Sequence, residues 1–361
     1  MRAAIMRDAK IVVDEMAMPV PSEHEVLVKT LACGICGSDL HALKHGHDMV
    51  QTSLETGGSF VMDLSKDIVM GHEFCAEVLD YGPDTNRTLK PGTRVCSFPT
   101  TVHNGSLATV GYSNLVPGGY SENMVLTESM LLAVPNGLPT AHAALTEPMA
   151  VGLHAVRMAK LNKGEVPLVI GCGPVGLAVI AALKQTGVGP IIGVDYSAKR
   201  RELAELMGAD EIIDPSKTSP YEYWQDIAKY DANGNLLPIE PFSGQSFREG
   251  VFFECVGVPG VIDQIMAGAP SKGRIVVVGV CMETDQIRPL TAINKELNLQ
   301  FVLGYQPDEF AETLHNIGEG HVDVAPLITS TVGLNGVAQA FEELADPERH
   351  AKILVDPTLP A

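Results

Sequence analysis

Hydrophobic positions change their rhythm near residue 150. Up to about residue 148 they come in short β-branched runs: Ile11-Val12-Val13, Val26-Leu27-Val28, Arg94-Val95-Cys96 and Asn123-Met124-Val125-Leu126. Gly and Pro punctuate these runs, which predicts an irregular, mostly antiparallel β domain. Between Thr140 and Lys160 the spacing turns helical, through Met149, Leu153, Val156 and Met158. From Val166 strand-like runs alternate with helical stretches. The runs are Leu168-Val169-Ile170, Ile191-Ile192-Gly193-Val194, Gly250-Val251-Phe252-Phe253 and Arg274-Ile275-Val276-Val277-Val278. Strand, helix, strand in that order predicts a doubly wound parallel α/β sheet with right-handed crossovers. Residues 215–247 are polar and contain Pro and Gly, and read as a surface excursion.

Past residue 298 the pattern gives helices from Asp308 to Gly318 and from Gly336 to Ala345, then a strand at Ile353-Leu354-Val355. With the parallel sheet complete by then, this tail is expected to rejoin the first domain. The division is thus residues 1–148 with 298–361, and a second domain of 149–297. Leu297 to Tyr305 has strand character and almost no charge, so it would need a partner at its edge. Val166 to Leu183 is uncharged over eighteen residues, near the lower limit for a membrane span. Three glycines and a proline interrupt it, so it reads as strand, turn and helix.

A chain of 361 residues with 45% hydrophobic and 19% charged residues suits two compact cores. The net charge of −19 argues against nucleic acid or an anionic membrane as partner and favours a small molecule. Seven scattered cysteines form no disulfide framework, which points to a reducing, cytoplasmic setting. No secretory signal is expected at the amino terminus, where Arg2, Arg7, Asp8 and Lys10 break any apolar core.

Two motifs carry chemistry. In Gly171-Cys172-Gly173-Pro174-Val175-Gly176, Gly171 permits a tight turn, Gly173 lets backbone approach a pyrophosphate, and Gly176 lets helix and strand pack closely. The turn, Val175 included, opens a helix whose N-terminal N–H groups face the phosphates. Asp195, at the end of the next strand, would accept hydrogen bonds from a ribose diol and repel a 2′-phosphate, favouring NAD over NADP. Lys199 and Arg200 follow closely and would soften that preference; they read equally as solvated helix charges. The backbone of Val278, Gly279 and Val280, at the carboxyl end of its strand, would face the nicotinamide.

The second motif runs from Cys33 through Cys36, Ser38, Asp39 and His41 to His72 and Glu73. Cys33-Gly34-Ile35-Cys36 alone would suit a redox pair or half a zinc knuckle, but no second cysteine pair completes a knuckle. His72 alone would more often be a satisfied or surface histidine. Thiolate, imidazole and carboxylate together suit zinc with one open position.

Cys-Gly-Ile-Cys-Gly-Ser-Asp-Leu-His, Gly-His-Glu-Phe, Thr-Glu-Pro-Met-Ala-Val-Gly-Leu-His-Ala and Gly-Cys-Gly-Pro-Val-Gly resemble the zinc-dependent medium-chain dehydrogenase/reductase family, in its sorbitol, threonine and butanediol dehydrogenase branch. The resemblance spans the chain to Lys352-Ile353-Leu354-Val355. It implies a GroES-like β-rich catalytic domain beside a Rossmann domain, and transfer of hydride between a secondary alcohol, or its ketone, and NAD. Cys36 and His72 would bind catalytic zinc, with Glu73 or Glu147 as the remaining ligand, directly or through water. Ser38 would take the alcohol proton first, His41 would help pass it to solvent, and Asp39 would orient a zinc ligand or simply cap a turn. Zinc lowers a bound hydroxyl's pKa by many units, to about 7 in the water case. A shift of that size is worth on the order of 10 kcal/mol.

The chain departs from the family in three places. Many members carry four cysteines for a structural zinc just after the catalytic histidine, whereas this chain has only Cys96 there and Thr100 to Gly105 without a thiol, so one zinc is expected. Ala42 and Gly304 replace an aromatic and an arginine of the sorbitol enzymes, which disfavours a polyol substrate. The segment between His41 and Gly71 is long. With Met49, Val50, Leu54, Phe60, Val61 and Met62 it reads as a surface loop with an apolar cluster, or as a lid favouring a bulkier alcohol. The family's two-fold strand pairing implies a homodimer or homotetramer. A zinc-free quinone or enoyl reductase of the same fold, or an inactive NAD-binding protein, is the alternative.

Overall fold

The computed structural model describes all residues except 136, 241–243 and 361. The chain forms two compact units, Met1–Glu147 with Phe310–Ala361, and Pro148–Glu309.

The first unit is built on a seven-stranded sheet. Glu25–Gly34 lies at its centre and pairs antiparallel with Glu73–Tyr81, with Asn123–Thr127 and with the terminal strand Lys352–Val355. The β-branched runs of the amino-terminal half supply these strands, and their inward positions (Val26, Val28, Val78, Val95, Val125) are fully buried. The tail returns to this sheet because Ile353, Leu354 and Val355 are buried against it. Where thiols are missing after residue 99, Thr100–His103 and Ser106–Thr109 form a hairpin. Buried Glu25 ties it down, accepting from Thr101 Oγ1 at 2.9 Å and meeting His103 Nδ1 at 2.8 Å.

The second unit is a six-stranded parallel sheet of Val166–Ile170, Ile192–Val194, Glu211–Ile213, Gly250–Glu254, Arg274–Val277 and Asn298–Phe301. Numbered in chain order within the unit, they lie 3-2-1-4-5-6, the doubly wound order with its switch point beside the first strand. Glu211–Ile213 is too short for its pattern to stand out in the sequence.

Four expectations need correction. Asn298–Phe301 pairs in register with Arg274–Val277, so the parallel sheet was not complete at residue 298 and the chain returns at Phe310. Residues 215–247 are only partly a surface excursion, because Ser219 caps a helix, Pro220–Ala228, whose Trp224 is fully buried and donates to the Val166 carbonyl at 2.9 Å. The helix read from Thr140 to Lys160 is two, Thr140–Ala143 and Thr146–Ala159. The first half of the long segment after His41 is helical rather than loop: Gly37–Thr56 is helix on both sides of a kink at His45 (φ −123°, ψ 26°), and residues 57–70 follow without a helix. The helix ends at Gly57 in the left-handed conformation, and it buries Ala42, Gly46, Met49 and Ser53 on one face.

Trp224 is the sole tryptophan and joins a helix to two strands of the second unit. Trp224→Ala should lower unfolding free energy by about 3–5 kcal/mol, measured by circular dichroism in urea.

Candidate active site

Strand register builds the first cluster. Gly34 pairs with Glu73 at the ends of neighbouring antiparallel strands. Cys36 stands two residues beyond the first strand, as the N-cap of helix Gly37–Thr56, and His72 stands one residue before the second. One donor atom each from Cys36, His72 and Glu73 therefore lies within 4.8 Å of the others. His72 and Glu73 are buried. A soft thiolate, an imidazole and a carboxylate in a dry setting fit zinc and leave a tetrahedral position open. Glu147, in the first turn of Thr146–Ala159, is buried but lies outside this cluster.

Asp39 acts both as a cap and as an orienting group. Its Oδ2 accepts from the Cys36 amide at 3.0 Å and from the Tyr120 hydroxyl at 2.6 Å. Its Oδ1 lies 3.4 Å from His72 Nδ1. His72 Nδ1 makes no full hydrogen bond there, and a carboxylate beside a ligand histidine is the arrangement that orients such a ring toward a metal. Burial alone would raise the Asp39 pKa, but His72, Tyr120 and the Cys36 amide bring it below the usual carboxylate range. Burial would lower that of His72, but the Asp39 charge and the Cys36 side chain leave it well above the ordinary value.

The sequence reading missed two residues here. Lys352, 1% exposed, places Nζ 2.7 Å from both Glu73 oxygens and 3.0 Å from the Ile35 carbonyl. Burial would discharge this ammonium, but Glu73 and then Cys36 hold it charged and raise its pKa. A Cβ on Gly34 would push the Glu73 carboxylate out of its place beside Lys352. Tyr112, also buried, donates toward Asp39 Oδ1 and meets Ser38 Oγ, each at 2.8 Å. The sequence signal for Lys352 was a lone charge opening an apolar strand; Tyr112 had none. Ser38 and His41 lie on the same helix as Asp39, both half-buried.

In the second unit the glycine turn is formed as expected. Gly171 has φ +90°, Gly173 caps helix Pro174–Thr186 with Pro174 in its first turn, and Val175 follows in that turn. A Cβ on Gly176 would overlap the Gly171 carbonyl. Asp195 accepts from the Cys172 amide at 2.8 Å and the Ser197 amide at 2.8 Å. Arg200 brings Nη1 to 3.9 Å from Asp195, and its buried Nε has no partner. A cavity of about 270 Å³, lined by Glu254, Gly257, Val278, Gly279 and Val280 among others, opens at the carboxyl ends of two neighbouring strands.

Residues 22–136 match the alcohol dehydrogenase GroES-like domain, and residues 174–319 match the zinc-binding dehydrogenase domain. The chain is 32% identical to (R,R)-butanediol dehydrogenase of Bacillus subtilis (strain 168), over 99% of this chain and all of that protein. It belongs to the zinc-type medium-chain dehydrogenases. Sorbitol dehydrogenase of Bos taurus is 30% identical over 90% of this chain and 87% of its own length. The crystal structure of the Bacillus subtilis 2R,3R-butanediol dehydrogenase superposes with a TM-score of 0.79 at 30% identity, covering 99% of each chain. The protein is thus an oxidoreductase of alcohols in the sorbitol/butanediol-like branch. Among the described residues no helix is long and apolar enough to cross a membrane.

Removing one member of a buried ion pair strands the other. In zinc-stripped protein, Lys352→Met should cost about 3–5 kcal/mol in urea unfolding, and the double variant with Glu73→Gln should recover much of it.

Proposed function

We propose that this dehydrogenase interconverts a secondary alcohol and its ketone with NAD(H), using one zinc ion held by Cys36 and His72 with Glu73 as the third protein ligand and Glu147 as its alternate. The Cys36, His72 and Glu73 cluster carries the reading. When bound, zinc supplies Lewis acidity that makes an alcohol a stronger acid, and NAD supplies the hydride acceptor. The chain does the rest. Asp39 aims His72, and Lys352 adds a positive charge to a set that thiolate, carboxylate and divalent cation would leave near neutral, which favours loss of the alcohol proton. Ser38, beside the cluster, takes that proton and His41 passes it outward. Gly171, Gly173, Val175 and Gly176 admit the pyrophosphate, and Val278, Gly279 and Val280 border the nicotinamide end. Asp195, fixed by two amides, would hold the ribose diol, which supports NAD over NADP; Arg200 is the residue a 2′-phosphate would use.

Phe60, from the long segment after His41, packs edge-on against Tyr112 with ring centroids 5.0 Å apart. That supports a less polar, bulkier alcohol than a simple polyol. The free state of all seven cysteines supports a reducing, cytoplasmic setting. Edge strand Asn298–Phe301 leaves Phe301 63% and Leu303 76% exposed, which supports a homodimer or homotetramer through strand pairing. Sedimentation velocity should show an oligomer that Leu303→Lys weakens; a monomeric wild type sinks this part.

The deciding experiment is NADH formation across secondary alcohols, diols, cyclic alcohols and amino alcohols, with NAD and NADP in parallel. Turnover with NAD and about one zinc per chain are expected. Cys36→Ser should lose the zinc and at least a hundredfold in kcat. Zinc-free wild type with full activity would overturn the reading.

A further inference from the structure

The Tyr112 hydroxyl has no place in the reaction as derived above, and its surroundings give it one. The side chain is 3% exposed, and its oxygen lies 2.8 Å from Ser38 Oγ and 2.8 Å from Asp39 Oδ1. The ring cannot move freely: it sits beside the His72 imidazole, centroids 5.2 Å apart at 38°, and Phe60 abuts it at 5.0 Å and 84°. A phenol has one proton for two acceptors. Asp39 also receives the Cys36 amide at 3.0 Å and the Tyr120 hydroxyl at 2.6 Å, the behaviour of an ionised, acceptor-only carboxylate. A charged acceptor takes the phenol proton in preference to a neutral hydroxyl. Tyr112 thus donates chiefly to Asp39 Oδ1, with Ser38 Oγ as second acceptor of the same proton, which leaves the serine's own proton free for the relay.

We propose that Tyr112, anchored on Asp39, is a positioning residue that holds the Ser38 hydroxyl in one rotamer. A serine has three staggered wells, and a hydrogen bond to an immobilised phenol selects one of them. The inserted segment enters this arrangement through Phe60, which fixes the edge of the Tyr112 ring. The proposal rests on the reading of Ser38 as the first acceptor of the alcohol proton.

The test is a double-mutant cycle in the zinc-loaded enzyme with Tyr112→Phe, Ser38→Ala and both together. Tyr112→Phe keeps the ring and loses only the oxygen. On the best substrate of the screen, kcat should fall about threefold, the loss expected when three wells replace one, with KM for NAD unchanged. In the Ser38→Ala background the same change should have no further effect on kcat, and the melting shifts of the two variants should be less than additive. The visible spectrum of the cobalt-substituted protein should be the same with and without the Tyr112 hydroxyl. Should Tyr112→Phe fail to fold, Phe60→Ala reads the same coupling at smaller size. Independent, multiplying effects on kcat, or a changed cobalt spectrum, would overturn the proposal. A wild-type protein that oxidises no alcohol sinks the functional reading, and the proposal with it; an active wild type with uncoupled variants sinks the proposal alone.

Discussion

The pairing of Gly34 with Glu73 is the constraint on which the first unit's chemistry depends. Two antiparallel strands that end together bring whatever follows one and precedes the other to the same spot. Cys36 and His72 meet for that reason, although 35 residues separate them in sequence. The third strand of the same corner, Lys352–Val355, pairs with the Cys33–Gly34 end of the central strand and delivers Lys352 from near the end of the chain. A one-residue slip in either pairing would turn these side chains to opposite faces. The fully buried Val26, Val28 and Val78, and Val355 on the terminal strand, resist such a slip because each would exchange core for water.

Burying so many charges in one corner is costly, and the structure offsets the cost pair by pair. Glu73 is matched by Lys352, and Asp39 by His72, two tyrosine hydroxyls and an amide. Each ion is tolerated only because its partner is present. The same low dielectric makes the arrangement useful, since a divalent cation entering among these groups interacts with them far more strongly than it would in water. Stability and function therefore draw on the same contacts.

Much of this was legible in the sequence because short motifs carry local geometry. The glycine turn at 171–176 and the Cys36, His72 and Glu73 set were readable, since their residue types admit few other arrangements. Lys352 was quoted only as part of a closing strand, because nothing local says that a lysine opening an apolar run will meet a glutamate 279 residues away. Trp224 was read as surface for a related reason: its helix is nine residues long and sits among polar, Pro-bearing sequence. The sixth strand, Asn298–Phe301, was assigned to the wrong unit because it is only partly buried and its character comes from its neighbour.

The hairpin after Ser97 is held to the central sheet by side chains. A short two-stranded ribbon is marginal on its own. Here Glu25, fully buried in the central strand, reaches Thr101 and His103, and Thr127 Oγ1 receives the Val102 amide at 3.1 Å. These contacts link the hairpin to the strand pair Glu25–Gly34 and Asn123–Thr127, the first of them the strand whose far end presents Cys36. Polar anchoring at one end of that strand and the candidate metal cluster at the other thus share one rigid element. Cys33, Cys75, Cys96, Cys172 and Cys255 are buried, while half-buried Cys36 is the one that the strand end turns toward the candidate metal cluster.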